Sequence, residues 1–413
     1  ISLGLAACFA AHGQKVQPFK KGPDYIDPLW LSHAAGERCY NLDFYTQSRE
    51  EIIANYADAA LNAETTLVEG NKGLFDGMDP KGSDSTAALA RLLGLPVIIV
   101  IDTQGITRGV APLILGYKEF EAGVDIAGVI LNKVASDRHE GKLHAAIGHY
   151  TDVPVLGAVR RSCDIEIAER HIGLIPTNEA KDADQRIANI ARHVSGDIDI
   201  ELLERVTGAT PAVLAQVPER PRTTQPTGSR VRIGVCRDAA FGFYYASDFE
   251  ALKGAGADLI FIDTLHDSHL PEVDGLFISG GFPETQMEAL EANVSLRGEI
   301  RVAINGGLPV YAECGGLMYL ARQIRWHDKT CKMVGILGVD VVMTERPVGR
   351  GYVRLQETGK GLWPLKAANN LRPEFPAHEF HYSKLENIDP NLDFAYEVLR
   401  GVGCDGNHDG IVY

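Results

Sequence analysis

The stretch "LPVYAECGGLMYLARQI", residues 308–324, sets Cys314 at the end of an apolar run and two glycines directly after it. A thiolate is a nucleophile for carbonyl carbon, so the chemistry open to such a residue is acyl transfer. Leu308–Ala312 reads as a buried strand, Gly315 and Gly316 permit a sharp turn, and Leu317–Ile324 has helical apolar spacing. Cys314 is thereby expected on a strand-to-helix elbow at the carboxyl end of a sheet, with the helix N-terminus favouring the thiolate. Acyl transfer also needs backbone N–H donors for a developing oxyanion. "LFISGGFPET", 276–285, supplies Gly280 and Gly281 after another strand, and Gly315 follows the cysteine itself. A buried structural cysteine and an ordinary βα turn are the competing readings of these two stretches.

Two further stretches concentrate charge. "FKKGPDYIDP", 19–28, packs Lys20, Lys21, Asp24, Tyr25 and Asp27 around a Gly-Pro turn after a strand. "LVEGNKGLFDG", 67–77, ends a strand on Glu69 and enters a loop carrying Lys72 and Asp76. Acids at the ends of neighbouring parallel strands converge on one crevice, and hard oxygen ligands there suit Mg2+ with phosphates. The competing reading is a solvated charged loop.

The elements that must position these residues alternate in type. Short apolar runs at Lys15–Phe19, Thr65–Val68, Pro96–Ile101, Ile126–Leu131 and Pro154–Val159 are separated by longer helical patterns, the βαβ rhythm of a doubly wound parallel sheet. "VPERPRTTQPTGSR", 217–230, has no apolar period and reads as a linker. The alternation restarts at Val231–Val235, Leu259–Ile262, Gly275–Ile278 and Leu308–Ala312. The expected organisation is one α/β domain over 1–205, a linker over 206–230 and a second α/β domain over 231–413. Ile1–His12 reads as an amphipathic helix without the usual start signals, and "GNHDGIVY" ends in what reads as a new strand, so both ends are expected to be cut.

With 413 residues, 45% hydrophobic and 23% charged, the composition is that of a globular protein, and no apolar run approaches the ~20 residues of a membrane span. A formal charge of -15 argues against a nucleic-acid surface, and it requires local cations wherever an anionic substrate is held. Seven cysteines stand singly with no C-x-x-C pair, which fits a reducing, cytoplasmic compartment rather than a disulfide framework or zinc site.

"GGFPE" and "ECGGLMYL", with "GRGYVRL" at 349–355 and "HEFHYS" at 378–383, resemble the class I glutamine amidotransferase (flavodoxin-like) domain of cobyric acid and cobyrinic acid a,c-diamide synthases. "KKGPDYIDP", "EGNKGLFDG", "GVILNKV", "DRHEGKL" and "PVLGAV" resemble the P-loop NTPase-like, dethiobiotin-synthetase-like domain of the cobyrinic acid a,c-diamide synthase family. The resemblance implies that Cys314 attacks the side-chain amide of glutamine and releases ammonia, with Gly280, Gly281 and Gly315 in the oxyanion hole. It implies Asp24 and Glu69 as Mg2+-linked carboxylates and Lys20 facing phosphate. Asn132 is implied near adenine, and Tyr25, Asp27 and Asp76 on the ATP and substrate side. The implied reaction amidates the a and c acetate carboxylates of a tetrapyrrole through an acyl phosphate, with ATP as co-substrate and a homodimer as the expected assembly.

Two departures qualify the resemblance. The phosphate-binding loop G-x-x-x-x-G-K-[ST] and the family's base histidine are absent and are expected beyond the ends of this sequence; His378 and His381 belong to a different family motif and are not assigned as the base. Asn71 and Lys72 replace the usual Val-Met, a variant resembling the sirohaem-amidating subgroup linked to dissimilatory sulfite reductase. The ring is therefore left open between cobyrinic acid and a sirohaem or sirohydrochlorin type. A cobyric acid synthase-type enzyme, a ParA-like ATPase switch and a non-catalytic glutamine sensor stand as alternatives.

Overall fold

A computed structural model describes residues 1–170, 173–208, 230–363 and 372–413. It divides into two compact units, Ile1–Arg220 and Pro221–Tyr413. Most of the expected linker lies outside the described residues, and the last helix before it runs to Thr207, two residues past the boundary read from sequence.

The first unit opens with α1 (Ser2–Ala11), β1 (Val16–Lys21), α2 (Ile26–Ala35), β2 (Tyr40–Leu42), α3 (Arg49–Ala60), β3 (Thr65–Glu69) and α4 (Thr86–Leu93). It continues with β4 (Val97–Asp102), α5 (Val110–Phe120), β5 (Ile126–Val134), α6 (Asp137–Tyr150) and β6 (Val155–Arg160). A short hairpin of β7 (Glu169–Arg170) and β8 (Gly173–Leu174) precedes α7 (Ala183–Asp197) and α8 (Ile200–Thr207). Apart from that antiparallel hairpin, its strands pair in parallel as two three-stranded sheets, β2-β1-β3 and β4-β5-β6. Helix α1 is not amphipathic: Gly4 to Phe9 are all buried, because its other side meets Val194 and Ile190 of α7. Local signals start the helices that flank β1 and β3. Ser48 and Glu51 form a capping box on α3, and Ser85 caps α4 by accepting from the Ala88 N–H at 3.0 Å. Phe19, Leu42, Ile52, Tyr56, Leu89 and Leu93 then close a core beneath β1.

The second unit begins with β9 (Val231–Cys236), β10 (Phe241–Phe243), α9 (Ala246–Gly254), β11 (Ala257–Ile262), β12 (Gly275–Ile278) and β13 (Gly280–Gly281). Then come α10 (Met287–Ala292), α11 (Val294–Asn305), β14 (Val310–Ala312) and α12 (Gly315–Leu320). The parallel order β11-β9-β12-β14 is a flavodoxin-like winding. The helix expected over 317–324 stops at Leu320. Gln323–Trp326 forms β15 instead, since Leu320, Ala321 and Ile324 are drawn into the core and the backbone turns to pair with later strands.

That region also holds β16 (Lys329–Lys332), β17 (Asp340–Met343), β18 (Gly349–Glu357), β19 (Glu374–His381), β20 (Ser383–Glu386), β21 (Asp393–Arg400) and β22 (His408–Val412). They build two further sheets, β16-β15-β17-β20 and β19-β18-β21-β22, paired antiparallel except where β15 runs with β17. Of these strands, only the one ending the chain was legible in the apolar pattern.

Candidate active sites

In the first unit, parallel register sets Lys20 of β1 directly beside Glu69 of β3. The Gly-Pro turn then brings back two acids: Asp24 accepts from the Ile26 N–H at 2.8 Å just before α2, and Asp27 lies in the first helical turn. Lys20 is 4% exposed, and its ammonium donates to Asp27 Oδ2 at 2.6 Å and Glu69 Oε2 at 3.0 Å, with Asp24 Oδ2 at 4.0 Å. Burial opposes charge on this lysine, but Glu69 and Asp27 hold it ionised well above lysine's ordinary range. Lys20 thus faces carboxylates where the family resemblance leads one to expect phosphate. Burial, with the Asp27 carboxylate next, pushes Asp24 up to about 6.

Three carboxylates around one ammonium leave the cluster short of positive charge, and its hard oxygens suit Mg2+. Among the described residues no group of three or more His, Cys, Asp or Glu side chains forms a metal cage by itself.

The other residues expected here are dispersed. Tyr25 immediately precedes α2. Asp76 is exposed and accepts from the Gly73 N–H at 3.2 Å, closing its own loop. Asn132 ends the regular part of β5 in the other three-stranded sheet, where its carbonyl accepts from the Thr103 N–H at 3.0 Å and its side chain from the Lys133 N–H at 3.0 Å. No hydrogen bond or ion pair joins Asp76 or Asn132 to the Lys20 cluster among the described residues. Lys21, buried on the opposite side of β1, was passed over because a lysine beside a turn reads as solvated.

In the second unit the elbow is real. Cys314 stands between β14 and α12 at φ 46°, ψ -105°, a conformation that costs a residue with a Cβ strain and is kept where surrounding structure enforces it. The enforcement is close backbone packing. A Cβ on Gly316 would overlap the Ile278 carbonyl oxygen, one on Gly281 would overlap that of Ala240, and one on Gly315 would come 3.1 Å from the Gly281 nitrogen. A Cβ on Gly280 would lie 3.5 Å from that of Cys314. Gly280, Gly281 and Gly315 are therefore packed closely around the cysteine.

The expected thiolate is not what the surroundings favour. Cys314 is an exposed residue, yet dense packing around its sulfur, then the Glu284 carboxylate, push its thiol up to about 12 against the help of the Gly315 N–H. Desolvation, with no cationic partner among the described residues, outweighs a single helical turn. Both histidines weighed in the sequence lie on β19. His381 Nδ1 is 2.8 Å from the Ser383 carbonyl and its Nε2 3.9 Å from Glu379, while the His378 ring meets Tyr352 edge-on.

Sequence reasoning also missed Glu313, although it stands in the quoted motif. Its Oε1 accepts from the Tyr311 hydroxyl at 2.7 Å, and the Ser279 hydroxyl, which also donates to the Phe243 carbonyl, lies 3.5 Å from Oε2. Glu313 thus ties the cysteine strand to the glycine strand, and burial raises its proton affinity above the ordinary carboxylate.

Comparison with known proteins agrees with both halves. Residues 232–413 match the model of a CobB/CobQ-like glutamine amidotransferase domain, and residues 1–175 that of a CobQ/CobB/MinD/ParA nucleotide-binding domain. An amidotransferase domain joined to a nucleotide-binding domain is the class so defined. A cobyrinate a,c-diamide synthase of Magnetococcus marinus is 43% identical over 416 residues, spanning 100% of this chain and 88% of that protein. One of Methanosarcina acetivorans is 37% identical, spanning 100% of this chain and 86% of its own. The chain belongs to the cobyrinate a,c-diamide synthase family, enzymes of the glutamine-dependent amidotransferase ligase type. Among the described residues, no helix is long and apolar enough to cross a membrane.

Proposed function

We propose that this protein converts the a and c acetate carboxylates of a tetrapyrrole, cobyrinic acid in the first instance, into amides at the expense of ATP and glutamine. The observation that carries the reading is the Cys314 elbow: a strained nucleophile position with Gly280, Gly281 and Gly315 packed closely around it. In this scheme the sulfur adds to the carboxamide carbon of glutamine, the glycine N–H groups hold the developing oxyanion, and ammonia leaves from a glutamyl thioester that water then cleaves. With the thiol held neutral, a base must take its proton as it attacks. Among the described residues, the groups whose charge acts on the sulfur are carboxylates, Glu284 and Glu313, with no imidazole among them.

The first unit then supplies the electrophile. A carboxylate is a poor acyl donor because oxide is a poor leaving group; transfer of a phosphoryl group to it gives an acyl phosphate from which ammonia displaces phosphate. Mg2+, when bound, neutralises charge on the transferred phosphoryl. Asp24 and Glu69 would hold the ion, while Lys20 keeps the three acids together. Tyr25, Asp27, Asp76 and Asn132 are assigned to the nucleotide and substrate side on motif position alone. The protein is proposed to act as a homodimer. The deciding experiment offers the full-length protein cobyrinic acid or sirohydrochlorin, each with ATP and glutamine, and measures amide product by mass. Two amides added to cobyrinic acid support the reading, and a preference for sirohydrochlorin moves the substrate to that ring. No ATP-dependent amide on either ring overturns it.

A further inference from the structure

Lys21 ends β1 and is 9% exposed. Strand alternation turns it away from the Lys20 cluster, onto the face where Phe19 meets Tyr56. Its ammonium makes no hydrogen bond or ion pair among the described residues. The acids whose charge reaches it, Asp84 and Asp43, have their oxygens committed elsewhere. Asp84 accepts from the Met78 N–H at 2.8 Å and the Asp79 N–H at 3.1 Å. Asp43 accepts from the Thr46 hydroxyl at 2.9 Å and the Tyr45 N–H at 3.4 Å.

More positive charge is gathered at the same place. Lys72 acts on Lys21 electrostatically, as does Lys20. Lys72 is exposed and sits at φ 57° in the turn after β3. That turn closes over the end of β1: the Asn71 amide nitrogen is 3.3 Å from where a Cβ on Gly22 would lie, and the Asn71 N–H reaches Thr86 at the start of α4 at 3.4 Å. Burying an ammonium with no carboxylate in direct contact among the described residues, beside a second lysine, is costly. An anion arriving from solution would remove that cost.

We propose that Lys21 and Lys72 form an oxyanion-binding site at the carboxyl end of β1, filled either by a carboxylate of the tetrapyrrole or by a phosphate of the nucleotide. The choice of these two ligands rests on the function proposed above; the unpaired lysine does not. In the full-length protein, cobyrinic acid, ADP and inorganic pyrophosphate are each titrated by equilibrium dialysis against wild type, Lys21→Met and Lys72→Met, with melting curves in parallel. Methionine keeps an unbranched stem and removes the charge. Lys21→Met is expected to weaken one ligand by roughly tenfold or more while melting no lower than wild type. Loss of cobyrinic acid alone identifies the carboxylate, and loss of ADP alone the phosphate. Lys72→Met, at the exposed rim, is expected to shift the same ligand by roughly twofold to fivefold.

Unchanged affinity for both ligands in Lys21→Met overturns the site, and a lowered melting temperature alongside would make Lys21 a structural partner of Asp43 and Asp84. If Lys21→Met fails to fold, Lys72→Met decides: no shift with any probe overturns the proposal. If wild type binds neither cobyrinic acid nor ADP, the functional reading is wrong, and pyrophosphate still judges the site. Pyrophosphate binding lost in Lys21→Met supports it, while unchanged or absent binding sinks it.

Discussion

The Lys20 cluster and the Cys314 elbow prepare their chemistry by opposite means. Around Lys20 the working parts are side-chain charges, three acids gathered on one buried ammonium by strand register and the turn into a helix. Around Cys314 the working parts are backbone: a left-handed φ, three glycines, Gly281, Gly315 and Gly316, that no larger residue can replace without crowding a carbonyl or an amide, and a thiol that its surroundings keep protonated. A charge cluster tolerates geometric change but responds to pH and ions. A backbone cradle ignores ions and fails on a single added methyl group.

Breaking each side separately should give the largest effect at the cysteine. Cys314→Ser in the full-length enzyme is expected to lower glutamine-dependent amide formation by roughly 10^4-fold, the scale of losing a nucleophile, while ammonium chloride still supports the reaction. Loss of both routes would make the elbow cysteine a structural residue. Gly316→Ala should cost about 3 kcal/mol in denaturant melts, because the new methyl group meets the Ile278 carbonyl. A neutral result there would mean the strand and elbow can separate, weakening the cradle argument. Glu69→Gln is expected to depress the glutamine and ammonium routes alike by on the order of a hundredfold, since it acts before the nitrogen source matters.

The smallest expected effect sharpens the contrast in pH. Asp24 binds its proton up to about 6 in the fold, above the ordinary value of 3.8, so proton and Mg2+ compete for it. Apparent Mg2+ affinity in ATP turnover should therefore weaken as pH falls through 6, by up to about tenfold per pH unit, and Asp24→Asn should flatten that slope. The same shift makes the protonated acid the stabilising form: its contribution is complete below the unfolded value and lost as pH rises through 6. Without divalent cation, the melting temperature should accordingly drop between about pH 4 and pH 6 in wild type but not in Asp24→Asn.

Most of the parallel strands were legible because each is a short apolar run between helical patterns, and burial in a parallel sheet demands that run whatever its neighbours are. The charged motifs were legible for a related reason. Lys20 and Glu69 lie at strand ends, with Asp24 and Asp27 in the turn and helix start that follow β1, and parallel connections return successive strand ends to one edge of the sheet. Cysteine and glycines in "ECGG" and "ISGG" likewise announce an elbow and a close approach by residue type alone. What the sequence left open depended on partners far away along the chain. Leu317–Ile324 carries helical spacing throughout, yet Gln323–Trp326 became a strand because Asp340–Val342 and Lys329–Lys332 pair with it. The protonation of Cys314 followed packing and the placement of Glu284, thirty residues away, rather than the helix end beside it. Lys21 looked like a solvated charge until the fold buried it and committed the oxygens of Asp43 and Asp84 to their own loops. Residue type and period are local properties, whereas desolvation, strand pairing and the choice of a charge's partner exist only once distant segments have met.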